Sequence, residues 1–204
     1  MKKFRALALS LVAVLLSAIT LAGCSQVDAA ASVGDTEISL DNLQTEVDLI
    51  LAEREGVDTS QMQLESGDAL TRAQLSYMIS NLIIDGVAED RNIEITKSEI
   101  EAYKIEIYAN IGGEANLPNV LVSAAIPSTA LDQVLRRDLI LRKISESEAA
   151  SGADDATINA NIQKLVSDKA TALKVTVNPR YGTWDAASLT VVPAEPSGDA
   201  VTDK

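Results

Sequence analysis

Apolar residues recur at helical spacing in six successive windows of this chain, and polar or small residues fill the gaps between them. Leu43, Val47, Ile50 and Leu51 fall at i, i+4, i+7 and i+8 after Ser39, a good N-cap, with Gly56 as the stop; the spacing predicts a first amphipathic helix. A polar loop over residues 57–67 follows. The second helix carries the widest stripe, Leu75, Met78, Ile79, Leu82, Ile83 and Val87, with Thr71 and Gln74 spaced as a capping-box pair. Thr96 and Glu99 form another such pair ahead of Ile100, Tyr103, Ile107 and Ile111, and Gly112-Gly113 ends that third helix. Residues 116–126 predict a short fourth helix halted by Pro127. Ser128 is placed to cap a fifth, lined by Leu131, Val134, Leu135 and Leu139. Residues 146–155, acidic and small, read as a linker, and Ile158, Ile162, Leu165 and Val166 mark a sixth helix from Ala156.

At two places the period changes from 3.6 to 2. Residues 32–38 read as a short strand broken by Gly34-Asp35, and Val175 and Val177 alternate with Lys174 and Thr176. The expected fold is therefore mainly α: a bundle of five to six amphipathic helices with a short two-stranded pairing of the N- and C-terminal strands. Neither strand would hold alone, so helices must pack on the pair. This domain spans residues 32–185, and residues 186–204, rich in Pro, Ser, Gly, Ala and Asp, read as a disordered tail.

The start of the chain has a different logic. Lys2, Lys3 and Arg5 precede an apolar run from Ala6 to Leu21, so residues 1–23 read as an export signal, too short and wrongly flanked for a membrane span. The run Leu21-Ala22-Gly23-Cys24 resembles the lipobox of bacterial lipoproteins. That resemblance implies cleavage before Cys24, acylation of its thiol, and residues 24–31 as a tether on the extracytoplasmic face of a bacterial membrane. A diacylglyceryl group anchors stably where a single acyl chain is marginal.

Charge and composition then narrow the chemistry. The whole chain carries a net charge of −13, and the leader contributes cations but no acid, so the mature part is more acidic still. Such a field repels nucleic acid and anionic lipid, which leaves lipid attachment as the expected link to the membrane. The chain has no histidine and one cysteine. Ser-His-Asp and Cys-His nucleophile systems, and zinc sites built on His or Cys, are thereby excluded. No cofactor and no metal are expected; Glu146, Glu148, Asp154 and Asp155 lack the glycine and distal glutamate of a calcium loop. A carboxylate-only enzyme such as a glycosidase stays open, because acids are plentiful.

Several sequence words occur in a telling order: Val33-Gly34-Asp35-Thr36-Glu37-Ile38-Ser39, Ile79-Ser80-Asn81-Leu82-Ile83-Ile84, Asn92-Ile93-Glu94-Ile95-Thr96, Leu135-Arg136-Arg137-Asp138-Leu139 and Val175-Thr176-Val177-Asn178-Pro179. Together they resemble the chaperone segment of the SurA and PrsA group of extracytoplasmic chaperones. Full-length members of that group carry a parvulin prolyl isomerase domain before the closing helix. Here residues 145–155 stand in that gap, too few for a domain, and parvulin sites rely on histidines that this chain lacks. The resemblance thus implies a holdase-like lipoprotein that binds unfolded or translocating polypeptides, with no isomerase step and no enzymatic activity. The alternative is an envelope adaptor that uses the same helical surface for one folded partner.

A client surface needs adaptable apolar side chains, which makes Met62, Tyr77, Met78, Tyr103, Tyr108 and Trp184 the candidates. Met78 and Tyr103 also sit in core stripes, where packing is the simpler role, whereas Tyr77 and Tyr108 fall off them. Trp184 is expected to pack over the strand pair. Arg136, Arg137, Arg142 and Lys143 cluster on one helix, where neutralising nearby acids is the expected purpose.

Overall fold

The computed structural model describes residues 28–194. The expected export signal, Cys24, the first half of the tether and residues 195–204 lie outside that range. Residues 29–31, expected as tether, instead belong to a buried strand, because their small side chains pack in the core.

The chain enters as β1 (Ala29–Val33), which turns at Gly34-Asp35 into the antiparallel β2 (Thr36–Ser39) with Val33 opposite Thr36. Gly34 has a φ of 60°, the positive dihedral that a two-residue hairpin turn requires. At the far end of the sequence β3 (Thr176–Val177) joins the other side of β1, Ala31 opposite Val177, so the sheet order is β2-β1-β3. The chain ends are thus tied together as expected, through three strands rather than two. Asn178 extends the tie: its N–H donates to the Ala30 carbonyl at 2.9 Å and its side-chain amide to the Ala29 carbonyl at 3.0 Å.

Six α-helices lie between these strands among the described residues: α1 (Leu40–Arg54), α2 (Gly67–Asp90), α3 (Lys97–Asn110), α4 (Leu117–Ser123), α5 (Leu131–Ala150) and α6 (Asp155–Ala172). Ser39 caps α1 by accepting the Asn42 N–H at 3.1 Å. The capping box predicted before α3 forms in full: the Thr96 hydroxyl accepts the Glu99 N–H at 3.3 Å, and the Glu99 carboxylate accepts the Thr96 N–H at 2.8 Å. The box predicted at Thr71 and Gln74 does not form. Helix α2 begins a turn earlier, which buries Leu70, and the Thr71 hydroxyl donates back to the Gly67 carbonyl at 3.1 Å. Ser128 does not cap α5 either; its N–H and hydroxyl both bond the Glu53 carboxylate of α1, at 2.9 and 2.6 Å. Helix α5 also runs through most of the expected linker to Ala150, and Asp154 caps α6 by accepting the Thr157 N–H at 2.8 Å.

The predicted disordered tail needs correction where it is described. Residues 186–189 form a turn, and β5 (Thr190–Val192) pairs antiparallel with β4 (Thr183–Asp185), Trp184 opposite Val191. Burial explains the order: Val191 is 6 % exposed within the core, and its N–H donates to the Ser76 hydroxyl of α2 at 2.7 Å. Gly182, at φ 128°, permits the approach, because a Cβ there would collide with the Val192 carbonyl.

Helix α2 is the axis of the core. Its Leu75, Ile79 and Ile83 are 0 % exposed, and it packs on α1, α5, α6, β1 and β5. Helix α3 is peripheral: its predicted stripe, Ile100, Tyr103, Ile107 and Ile111, is only half-buried, and its main neighbours are α5 and a 3₁₀ turn at Glu114–Asn116. In α1, Leu51 leaves the predicted stripe and is 43 % exposed. No helix among the described residues is long and apolar enough to cross a membrane.

Candidate functional site

Helical spacing gives α2 two faces. Leu75, Ile79 and Ile83 point into the core, whereas Gln74, Tyr77, Met78, Asn81 and Leu82 fall at i, i+3, i+4, i+7 and i+8 on an adjoining face. That second face borders a cleft of about 200 Å³ between α1, α2 and β2, with Ala130 and Gln133 at its rim. Ile38, Met78 and Leu82 supply apolar wall; Glu46, Gln74 and Tyr77 supply polar groups.

Several of these polar groups have no partner among the described residues. The Glu46 Oε2 and Tyr77 hydroxyl oxygens are buried, and neither finds a hydrogen-bond partner among the described residues. Asn81, one turn beyond Tyr77, is 3 % exposed with both amide atoms unpaired. It lies close enough to the phenol to act on its proton affinity without reaching good hydrogen-bond geometry. Burial pushes the Tyr77 hydroxyl above the usual phenol range, opposed first by the Asn81 amide and then by the Arg137 charge. Burial also raises the Glu46 carboxyl, with the Glu53 charge adding to it. The Arg137 guanidinium lies 5.3 Å from the Tyr77 ring centroid and 3.6 Å from the Asp138 carboxylate. Buried polar atoms in folded proteins are nearly always paired with protein or ordered water, so these groups are the ones here with bonding capacity unused by the protein itself.

A second depression runs along β1 and β3 beside Ala31, Thr176 and Val177. Most of its polar side chains other than Glu37 are already used: the Ser32 and Thr176 hydroxyls bond each other at 2.6 Å, and the Asn178 amide bonds the Ala29 carbonyl. The α1–α2 cleft is therefore the stronger candidate.

Of the residues singled out from sequence, the cleft brings together Tyr77 and Met78. Met62 is half-buried in the loop between α1 and α2, its N–H donating to the Thr59 carbonyl at 3.0 Å. Tyr103 and Tyr108 are half-buried on α3, with the Arg142 guanidinium 4.4 Å from the Tyr103 ring centroid. Trp184 is half-buried against the core from β4, and its buried indole N–H has no partner among the described residues. Glu46, Gln74 and Asn81 escaped the sequence reading. For Gln74 and Asn81 the signal is polar residues at helical spacing inside a helix otherwise read as core; Glu46, on α1, carries no such signal. The basic cluster is spent on acids, as expected: Arg136 on Asp85 at 3.1 Å, Arg142 on Glu106 at 3.4 Å and Lys143 on Glu99 at 2.6 Å. Among the described residues no group of three acidic side chains is placed to hold a metal ion.

The fold is a helical body closed by small sheets, with an open cleft of mixed character between α1, α2 and β2. The SurA-like N-terminal domain family matches residues 1–145, and the chain belongs to that family. The family is extracytoplasmic, and its role is of the chaperone kind. The match ends within α5, so α6 and β3 to β5 lie beyond it. No curated protein and no solved structure matches the chain.

Proposed function

We propose that this protein is a lipid-anchored, extracytoplasmic holdase that binds unfolded or translocating polypeptides and has no prolyl isomerase step. The observation that carries this reading is the α1–α2 cleft, where half-buried Met78 and Leu82 lie beside the unpaired Glu46 and Tyr77 oxygens. An unfolded segment presents both apolar side chains and unbonded backbone groups, and a cleft offering both kinds of partner meets that need without chemistry. Attachment through Cys24 would hold the site where exported chains emerge.

The test is light scattering from a thermally unfolded client, with and without the mature protein at several-fold excess. Suppressed aggregation is expected, with no change in the rate of prolyl isomerisation in a model peptide. Equal scattering in both samples defeats the reading. Mass spectrometry of the mature N-terminus checks the anchor; an unmodified Cys24 removes it.

A further inference from the structure

We propose that the α1–α2 cleft receives a lysine or arginine side chain from an otherwise apolar client segment, its charged end bonding Glu46 Oε2 and the Tyr77 hydroxyl oxygen. This rests on the polypeptide-binding reading and names the kind of segment that the cleft selects.

Three observations converge on a cation. First, the buried oxygens left without a donor are Glu46 Oε2, the Tyr77 hydroxyl and the nearby Asn81 amide oxygen, all able to accept from an ammonium or guanidinium. Second, the lining residues include Glu37 and Glu46 but no lysine or arginine, in a chain of net charge −13, and the Arg137 guanidinium over the Tyr77 ring is itself paired with Asp138. Glu53, the other acid on this side of α1, is already bonded to Ser128. Third, the walls suit the stem of such a side chain: Ile38, Met78 and Leu82 are apolar, and long basic side chains lay their methylenes on such surface while the head finds its partner. The cleft, at about 200 Å³, is smaller than the roughly 300–1,000 Å³ of sites that enclose a drug-sized ligand. It is sized for one side chain. Burial and the Glu53 charge both disfavour an ionised Glu46, and a bound cation removes that penalty.

The experiment compares two fluorescent peptides of apolar sequence that differ at one central position, lysine against methionine, binding to the mature protein. One charge-assisted bond predicts about tenfold tighter binding of the lysine peptide. The preference should shrink in high salt and vanish in Glu46→Gln, whose unchanged thermal unfolding confirms the fold. Tyr77→Phe should reduce it without abolishing it. Equal affinities for the two peptides in the wild type, or a lysine preference that survives Glu46→Gln, overturns the proposal while leaving polypeptide binding intact. Failure of both peptides to bind overturns the proposal and the holdase reading together. Sedimentation that shows a dimer lost in Glu46→Gln assigns the cleft to a second copy and likewise overturns it.

Discussion

The Ser76 hydroxyl, buried on α2, donates to the Arg72 carbonyl and accepts the Val191 N–H, each at 2.7 Å. The second bond links α2 to the C-terminal hairpin through two buried atoms, and it satisfies an N–H that water cannot reach. Ser76→Ala should leave that N–H unpaired and lower stability by about 1–3 kcal/mol, read from the midpoint of urea unfolding. An unchanged midpoint would mean that this bond contributes nothing to the fold. Asn81, five residues along the same helix, shows the opposite condition: as buried as Ser76, yet with neither amide atom bonded. Unspent polar groups of this kind lower stability, and they persist in native proteins chiefly where function keeps them.

At the scale of elements, α2 and α3 differ in what holds them. Helix α2 is fixed by burial on several sides, whereas α3 has no fully buried residue and meets α5 largely through charge: Lys143 with Glu99, Arg142 with Glu106, and Lys104 with Asp132 at 2.9 Å. The Glu99 carboxyl is held from its ordinary value of 4.5 down to about 2, first by the hydrogen bond from Lys143 and then by the Thr96 N–H and hydroxyl. A depressed folded-state value means that the stabilisation is present above pH 4.5 and is lost as pH falls through about 2. Over that window α3 should lose hydrogen-exchange protection before α2 does. Glu99→Gln should remove the pH step, because its protonation no longer changes. Protection of α3 that stays constant down to pH 2 would show that apolar contact, not the ion pair, holds it. Exposed ion pairs are individually weak, so this concerns local opening and not global unfolding.

At the scale of the molecule, the family match covers residues 1–145, but the core does not close there. Val166 and Ala170 of α6 and Val191 of β5 belong to the same buried cluster as Ile79 and Ile83, and β3 completes the sheet on β1. A chain ending at residue 145 should therefore lose cooperative thermal unfolding and bind dyes that report exposed apolar surface. A sharp, intact transition in that truncated chain would show that α6 and the C-terminal strands are ornamental. The closing segment also covers α2 on the side of Ser76, while the Tyr77–Met78–Leu82 side borders the cleft.

The local pattern alone determined most of the elements: the core stripe of α2, the Thr96 box and the two strand segments at the chain ends follow from spacing and residue type, because each is a short-range property. The pairing of those strands and the acids that meet the Arg136–Lys143 cluster are long-range contacts. The tertiary structure decided the rest. Leu70 drew the start of α2 back one turn by being buried, Val191 ordered a segment whose composition reads as disordered, and Glu53 took Ser128 away from α5. The cleft is of this second kind. Whether Tyr77 and Glu46 are paired, and so whether their side of the helices is idle or open to a partner, depends on which groups the other helices bring within reach, and no single helix carries that information.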